Sequence, residues 1–378
     1  MIPRFIEKQI LKELKPAKVI ALFGARRTGK TFLMNKIKKQ LLKKKVLMVH
    51  GQNLDTTEIL SSQRLSILKR FVAGYDYLFV DEAQKISNIG VNLKLLVDSF
   101  PKLSIFVTGS SSFALKNKVG EPLVGRSQYL YLYPISQLEF ASYQDIQTLN
   151  DNLETYLIYG SYPQIITVKT LKQKVSIIES IRDGYLLRDI LELDNLKDSL
   201  FIFNLLRLIA FQIGHDISYS ELASKLNVNK KTVMRYLELL EKSYILFSLH
   251  GFSKNLRKEY TKSPRYYFWD NGIRNAVISN YNRLTLRNDV GQLWENFAVS
   301  ERIKFTGYKQ IHCNHFFWRT YDQKEIDLIE ERGGKLFAYE CKYTKSEKQI
   351  KPPKDFLVNY PKSEFYIINK QNYPNHLT

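Results

Sequence analysis

The chain has 378 residues, of which 44% are hydrophobic and 13% aromatic, so it is expected to form two or three globular domains rather than a disordered chain. Two cysteines, Cys313 and Cys341, exclude a disulfide framework or a zinc cage. No apolar run reaches the length of a membrane span and no signal-peptide core begins the chain, so we expect a cytoplasmic protein without a membrane partner.

The net charge of +20 indicates a polyanionic partner such as DNA, or alternatively only a lysine-rich composition. The excess is concentrated in residues 1–45, which carry fourteen Lys and Arg against two acids, and is weaker after residue 215. Charge alone does not separate the two interpretations.

Residues 1–140 alternate strands and helices, with strands predicted near 18–23, 45–50, 77–81, 103–108 and 128–132. This alternation predicts an α/β fold with a parallel sheet and helices on both faces. A mostly helical segment follows at 141–214, then a helix-turn-helix and an apolar hairpin at 215–265, and finally a mixed α/β domain at 266–378.

A phosphate-binding loop is predicted between the first strand and the first long helix, in the order that the pattern G-x-x-x-x-G-K-[ST] requires. Its residues are Gly24, Ala25, Arg26, Arg27, Thr28, Gly29, Lys30 and Thr31. The loop amides and the helix N-terminus form an anion site, Lys30 reaches the β- and γ-phosphates of ATP, and the Thr31 hydroxyl ligates Mg²⁺. In the helix, Phe32, Leu33, Ile37 and Leu41 are expected on the apolar side.

The apolar run from Tyr77 to Val80 ends in two carboxylates, as in a Walker B strand. Asp81 is expected to hold Mg²⁺ and Glu82 to polarise the attacking water. Alternatively, these residues form a buried strand followed by a solvated acidic turn.

Two further polar positions follow in this domain. Thr108 or Ser110, at the end of the next strand, either holds the attacking water or belongs to an ordinary Ser/Gly loop. Arg126 either neutralises transition-state charge, in cis or from a neighbouring subunit of a homo-oligomer, or pairs with a core carboxylate.

In the segment 215–265, Ser220 is expected to cap a short helix that ends in the turn 227–229, and Lys230 begins a second helix. Lys230, Lys231 and Arg235 face outward, as in a recognition helix that contacts DNA. The following hairpin adds a basic wing with Lys254, Arg257 and Lys258. Alternatively, such a winged helix serves only as a packing module.

Near the C-terminus, Gly333-Gly334 is predicted to be a two-residue hairpin loop. Counting outward from this loop places Asp327 opposite Glu340, and Lys342 on the same face. Two carboxylates that hold Mg²⁺ and a lysine that activates water or stabilises charge are what phosphodiester cleavage needs. Alternatively, Lys342 pairs with Glu325 across the hairpin and the carboxylates form a solvated rim.

Several motifs together resemble the prokaryotic AAA+-like ATPases of the archaeal-type ATPase class, which carry a C-terminal nuclease-like domain of unknown function. The motifs are the loop 24–31, Phe79-Val80-Asp81-Glu82-Ala83-Gln84, Thr108-Gly109-Ser110-Ser111, Gly125-Arg126, the segments 134–140 and 267–272. The resemblance implies an AAA+-type P-loop domain, a winged helix and a PD-(D/E)XK-like fold. It also implies that Glu340-Cys341-Lys342 is the (D/E)-x-K element and that Glu295 is the acidic residue of the domain's first helix.

Two functions follow from these features. One is an ATP-binding, Mg²⁺-dependent ATPase that acts on DNA, in which ATP gates a C-terminal nuclease site. The other is a nucleotide-switched signalling or interaction module whose nuclease-like domain is an inactive docking surface.

Overall fold

The computed structural model describes residues 2–110, 123–186, 199–253, 263–320, 322–344 and 350–378. Two compact units are present. The N-terminal unit comprises Arg4–Tyr133 with Lys242–Tyr244, and the C-terminal unit comprises Pro134–Glu241 and Ile245–Thr378 with the residues before Arg4. The domain boundaries expected at residues 140, 214 and 265 stay a prediction.

A five-stranded parallel sheet forms the centre of the N-terminal unit, with the strand order β2-β3-β4-β1-β5. The strands are β1 (Val19–Phe23), β2 (Val46–His50), β3 (Tyr77–Asp81), β4 (Ser104–Gly109) and β5 (Ser127–Tyr131). All five residues of β1 are buried, as expected of a central strand that is covered on both faces. The α/β class and the five strands predicted from the sequence are confirmed.

Among its described residues, five α-helices accompany this sheet: α1 (Ile6–Glu13), α2 (Lys30–Gln40), α3 (Leu54–Ser61), α4 (Leu65–Val72) and α5 (Ile89–Ser99). Helix α2 buries Leu33, Met34 and Ile37, which recur at helical spacing. Phe32 is 53% exposed, so its expected place on the apolar side was wrong. The reason is geometric, since Leu33, Met34 and Ile37 lie within about 100° of one another around the helix and Phe32 lies on the other side.

A six-stranded mixed sheet forms in the C-terminal unit, with the order β11-β10-β9-β8-β6-β7. The strands are β6 (Leu246–Gly251), β7 (Arg265–Phe268), β8 (Asn314–Arg319), β9 (Glu325–Arg332), β10 (Lys335–Cys341) and β11 (Glu364–Ile368). The predicted hairpin of β6 and β7 is antiparallel, and β6 also pairs in parallel with β8. These two strands therefore belong to the same sheet as the C-terminal strands.

The hairpin of β9 and β10 has the register expected from the sequence, with Lys335 opposite Arg332 and Tyr339 opposite Leu328. Gly333 and Gly334 both have positive φ, at 55° and 73°. A two-residue loop of this kind needs positive φ at both positions, which glycine adopts without strain.

Helices of the C-terminal unit precede and flank this sheet. They are α6 (Gln137–Ala141), α7 (Ile146–Tyr159), α8 (Pro163–Thr167), α9 (Leu171–Ile181), α10 (Ser199–Ala210), α11 (Tyr219–Lys225), α12 (Lys230–Lys242), α13 (Asn271–Val277), α14 (Val290–Tyr308), α15 (Lys354–Asn359) and α16 (Tyr373–Leu377). Among the described helices, none has both the length and the apolar character needed to cross a bilayer.

Helices α11 and α12 are joined by a short turn in which Asn227 has positive φ, and their assignment to a winged helix stays a prediction. The cap of α11 is Ser218, whose hydroxyl accepts a hydrogen bond from the Glu221 amide at 3.3 Å. Ser220 was therefore the wrong cap, because it already lies inside the helix. Asn229 caps α12 by accepting from the Thr232 amide at 2.8 Å.

Helix α13 is fixed to the C-terminal end of α7 by polar contacts. The Asn275 side-chain amide donates to the Leu157 and Ile158 carbonyls at 3.0 and 2.8 Å, and so satisfies carbonyls that the helix end leaves open. Gly272 approaches so closely that an added Cβ would lie 2.1 Å from the Tyr159 carbonyl oxygen. The helical segment and the mixed sheet thus share one packed unit.

We expect Gly272→Ala to lower the free energy of unfolding by about 1–3 kcal/mol, because the new methyl group overlaps backbone atoms that cannot move away cheaply. Gly291→Ala is the matched control: it is also the second residue of a helix, and a Cβ there meets nothing within 4 Å. The control should change stability by less than about 1 kcal/mol. Urea denaturation of both variants measures the difference, and equal midpoints would contradict the close approach.

Candidate functional site

The loop 24–31 connects β1 to α2, and two of its glycines have backbone conformations that favour glycine. Gly24 has φ at 153°, and a Cβ at this position would lie 2.1 Å from the Leu132 carbonyl oxygen. Gly29, immediately before α2, has φ at 98°. Both positions require glycine, one for space and both for backbone conformation.

Lys30 is 5% exposed, and its Nζ donates to the carbonyls of Gly24 and Ala25, each at 2.8 Å. Arg4, which lies outside the loop, connects the loop to the segment just after β5: its guanidinium donates to the carbonyls of Thr28 and Tyr133, each at 2.6 Å. No local pattern in the sequence signals this role of Arg4, because its contacts span 24 and 129 residues.

Asp81, at the end of β3, lies beside the loop. Its Oδ2 accepts from the Thr31 hydroxyl at 2.6 Å, and its Oδ1 accepts from the Thr108 hydroxyl. The two residues predicted to hold Mg²⁺ are therefore in direct contact. A hydroxyl and a carboxylate in this arrangement are the protein ligands that P-loop enzymes offer to Mg²⁺.

The Thr108 hydroxyl also accepts a hydrogen bond from the Glu82 amide at 3.1 Å. Glu82 has φ at 53°, which turns the chain directly after β3. Its carboxylate accepts from the Gln84 side-chain amide, which also donates to the Ser110 hydroxyl at 2.9 Å. Thr108 thus connects Asp81 to the backbone of Glu82. Gln84 holds the Glu82 carboxylate, a role that no sequence pattern indicated.

Arg126 does not lie with these residues. Its carbonyl accepts from the Val19 amide at the start of β1, whereas the phosphate-binding loop follows the end of β1. Five strand residues span about 16 Å, which is longer than an arginine side chain. The guanidinium instead binds Asp98 at 2.7 Å. The structure therefore contradicts the cis form of the arginine-finger hypothesis, because strand direction puts Arg126 at the opposite edge of the sheet.

A second group of charged residues lies on β9, on β10 and directly after β10 in the C-terminal unit. The Lys342 Nζ is 2.8 Å from Glu340 Oε1 and 3.9 Å from Asp327 Oδ2. The Cys341 amide donates to Asp327 Oδ2 at 2.7 Å and so fixes this carboxylate. The structure brings these three side chains together, as the hairpin register predicts. Glu325 instead accepts from Arg265 at 2.7 Å.

Glu295 on α14 extends this acidic group. It accepts from the Tyr267 hydroxyl at 2.8 Å, and its carboxylate lies over Gly214, where an added Cβ would be 2.5 Å from Oε2. Burial, followed by the charge of Asp327, raises the pKa of Glu295 to about 8. Glu295 therefore lies within electrostatic range of Asp327.

Burial also raises the pKa values of the two carboxylates on the hairpin. Asp327 is 2% exposed and its pKa is raised by burial, while burial and the Asp327 charge raise the pKa of Glu340 to about 7. Although burial lowers it, the pKa of Lys342 is raised above its ordinary value by Asp327 and Glu340. The lysine therefore stays protonated near neutral pH.

One carboxylate oxygen of this group has the character of a metal ligand. Glu340 is 9% exposed, and its Oε2 is buried without a hydrogen-bond partner among the described residues. The same part of the chain contains no set of three His, Cys, Asp or Glu side chains arranged to hold a metal. Mg²⁺ typically needs only one or two protein carboxylates, since water and substrate oxygens complete its shell. Asp327 and Glu340 fit this requirement.

The basic face predicted on α12 is exposed. Lys230, Lys231 and Arg235 are all exposed, while Val233 and Leu237 are buried. Lys254, Arg257 and Lys258 of the predicted wing lie outside the described residues.

Comparison with family models divides the chain into three matched regions. Residues 16–141 match an AAA domain, residues 150–284 a domain of unknown function (DUF8612), and residues 290–377 a second domain of unknown function (DUF4143). The first match covers the loop 24–31, Asp81, Glu82 and Thr108. The part of the N-terminal unit that contains these residues is therefore similar to an AAA domain.

Related proteins occur in distant prokaryotes. An uncharacterized protein of Mycobacterium tuberculosis is 24% identical over 368 residues, which cover 95% of this chain and 78% of the relative. An uncharacterized protein of Methanocaldococcus jannaschii is 23% identical over 369 residues, which cover 92% and 80%. One of Haemophilus influenzae is 24% identical over 337 residues, which cover 83% and 79%.

Among solved structures, AMPPCP-bound DnaA of Aquifex aeolicus is similar with a TM-score of 0.31 and 13% identity, over 63% of this chain and 86% of that chain. The crystal structure of a DNA replication initiation factor has a TM-score of 0.27 and 14% identity, over 62% and 86%. Scores of this size carry no argument about function.

We expect the stability of the metal-free protein to fall between about pH 5 and pH 8. The raised pKa values of Glu295 and Glu340 mean that the folded state binds protons that the unfolded state has already lost, so stability decreases as these carboxyls ionise. Glu295→Gln should reduce this fall by about 2–5 kcal/mol, where the upper figure is the full pKa shift of Glu295 to about 8 at about 1.4 kcal/mol per unit and coupling to the neighbouring carboxyls lowers it.

Urea denaturation in the presence of a chelator, repeated across this pH range, measures the slope. Glu331→Gln on strand β9 is the control, because this partly exposed residue lies outside the acidic group and should leave the slope unchanged. Equal slopes for wild type and Glu295→Gln would contradict the burial of the Glu295 charge.

Proposed function

We propose that the protein is a Mg²⁺-dependent ATPase that acts on DNA. The observation that carries the ATPase part is the contact of the Thr31 hydroxyl with Asp81 at 2.6 Å, at the mouth of the loop 24–31. Thr31 and Asp81 would hold Mg²⁺, which when bound neutralises charge on the phosphate oxygens. Lys30 would leave the loop carbonyls and bind the β- and γ-phosphates.

Glu82 is the residue that orients the attacking water in this proposal. Its amide is bonded to Thr108 and its carboxylate to Gln84, so the side chain is held at the end of β3. A carboxylate fixed in this way needs little reorganisation when it accepts a hydrogen bond from water. Thr108 and Ser110 then act through Glu82 by keeping it in place.

Glu82→Gln should reduce the rate of ATP hydrolysis by about 100-fold, because the amide cannot take a proton from the attacking water. ATP affinity should stay within a few-fold of wild type, since the amide keeps the size of the side chain. Steady-state phosphate release and equilibrium binding of a fluorescent ATP analogue measure the two quantities. Unchanged turnover would show that Glu82 is not the water-orienting residue.

For the C-terminal unit we propose metal-dependent cleavage of DNA at Asp327, Glu340 and Lys342. Its support is the buried Glu340 Oε2 without a hydrogen-bond partner next to the buried Asp327 carboxylate. Two such carboxylates would hold Mg²⁺, which when bound polarises the phosphate and a water molecule. Glu295 would contribute negative charge from α14, at the same end of the site.

Lys342 has an electrostatic role in this proposal. Because the carboxylates keep its pKa high, it remains a cation and stabilises the charge that builds up on the phosphate oxygens. In the reaction a water oxygen bonds to phosphorus, one phosphorus–oxygen ester bond breaks, and the proton that the water loses passes through solvent to the departing oxygen. DNA would reach the protein in part through the exposed face of α12 with Lys230, Lys231 and Arg235, and through Lys254, Arg257 and Lys258.

The second candidate function, a nucleotide-switched interaction module, is favoured by the place of Arg126. Since Arg126 lies at the far edge of the sheet and binds Asp98, hydrolysis within one chain lacks this arginine. A second copy in a homo-oligomer could supply it in trans. Without such a copy, turnover would be slow and ATP would act as a switch.

Asp327→Asn should abolish cleavage of plasmid and linear DNA by Mg²⁺ or Mn²⁺, a loss of at least about 100-fold, because the amide removes one of two charged metal ligands. Glu331→Gln, on the same strand, is the control and should cleave like wild type. Each reaction is run with and without ATP, and ATP-dependent cleavage would support a gated site. If wild type cleaves under none of these conditions, the nuclease proposal fails and the interaction module is favoured.

A further inference from the structure

The five parallel strands of the N-terminal unit all begin at one edge of the sheet, which we name the amino edge. It is formed by the segments that precede the strands: 15–18, 43–45, 75–76, 101–103 and 124–126. The loop 24–31, Asp81 and Thr108 lie at the other edge, where strands end. The amino edge is therefore a surface that the nucleotide site does not use.

Backbone hydrogen bonds fix these segments in one row. The Tyr77 amide donates to the Lys45 carbonyl at 3.1 Å, and the Ser104 amide donates to the Asp76 carbonyl at 3.1 Å. The Ala17 amide donates to the Leu103 carbonyl and the Val19 amide to the Arg126 carbonyl, each at 2.9 Å. Neighbouring strands are about 4.8 Å apart, so the row from β2 to β5 extends about 19 Å.

Lysine side chains dominate the charge along this row. The exposed ones are Lys15, Lys18, Lys43, Lys44, Lys45 and Lys102. Three carboxylates lie nearby: Asp98 binds Arg126 at 2.7 Å, Glu13 lies 3.7 Å from the Lys15 Nζ, and Asp76 accepts from the Lys45 amide at 2.9 Å. The six lysines and Arg126 outnumber them. The row therefore presents a positive surface, and it contains part of the excess charge of residues 1–45.

The chemistry of this row fits a line of phosphates better than a lipid surface. Membrane-surface binding requires a continuous apolar face next to the charges. The most exposed apolar residues here are Leu42 beside β2 and Val124 beside β5, at 88% and 77% exposure, while Tyr75 before β3 is 42% exposed and carries a polar hydroxyl. Since β2 and β5 are the two outer strands of the sheet, Leu42 and Val124 are separated by its full width.

We propose that the amino edge binds the phosphate backbone of DNA without reading its sequence. This inference rests on the proposed action on DNA. It assigns DNA binding to a surface of the N-terminal unit, in addition to the exposed face of α12. Lysines that contact phosphates supply affinity and salt dependence but no base recognition. ATP and DNA would thus occupy opposite edges of one sheet.

The test compares the full-length triple variant K43E/K44E/K102E with wild type, using fluorescence anisotropy of a labelled DNA duplex at several salt concentrations. We expect affinity to fall at least 10-fold. The slope of log affinity against log salt should become less negative by about 0.9 for each phosphate contact that is lost. ATP hydrolysis should remain, because these residues lie outside the nucleotide site, and its retention shows that the unit is folded.

The charge-matched control is K169E/K172E/K354E, which changes three exposed lysines of the C-terminal unit and should retain wild-type affinity. An equal loss in both variants would mean that DNA responds only to net charge, and would overturn the proposal. Wild-type affinity in K43E/K44E/K102E would overturn it as well. If that variant does not fold, K43Q/K44Q/K102Q replaces it, with a smaller loss expected.

A binding assay with vesicles of phosphatidylserine and phosphatidylcholine tests whether the amino edge binds an anionic lipid surface instead of DNA. Binding of wild type to these vesicles but not to DNA would overturn the proposal. The two experiments test the amino-edge inference and the nuclease proposal independently. A loss of DNA affinity in the amino-edge variant supports the inference even if wild type cleaves no DNA, and cleavage that Asp327→Asn abolishes supports the nuclease even if this variant binds normally.

Discussion

Parallel pairing of β1 with β4 and β5 is the constraint on which the N-terminal unit depends. It brings the loop after β1, Asp81 at the end of β3 and Thr108 near the end of β4 to one edge, where three hydroxyl and carboxylate groups bond to one another. The same constraint gathers the lysine-rich segments at the other edge. One sheet therefore separates the nucleotide chemistry from the basic surface, and places Arg126 where its own chain cannot use it for hydrolysis.

The C-terminal unit is organised by a different balance, between burial and charge. Taking Asp327 and Glu340 out of water is costly, and Lys342 offsets part of that cost by lying 2.8 Å from Glu340. The Cys341 amide adds a hydrogen bond to Asp327. The remaining imbalance appears as raised carboxyl pKa values and as the Glu340 oxygen without a hydrogen-bond partner, which are features that a bound cation would relieve.

Local features of the fold and site could be predicted because local geometry determines them. The Gly333-Gly334 turn fixes the hairpin register, and the register alone brings Asp327 opposite Glu340. The glycines of the loop 24–31 are part of a short motif, so the sequence alone identifies the loop. Contacts between distant segments had no such signal, as with Arg4 and the pairing of β6 with β8. The place of Arg126 could have been predicted from the sequence. A residue that precedes a parallel strand must lie at the edge of the sheet opposite the phosphate-binding loop.

The hairpin register also restricts how this protein can change during evolution. Side chains on a strand alternate between its two faces, so one residue inserted between Asp327 and the turn would move Asp327 to the face opposite Glu340. All the acidic residues and Lys342 would still be present in such a sequence. A descendant could therefore keep every residue of the site and yet have lost it, and insertions in β9 or β10 are more informative than residue identities for recognising inactive relatives.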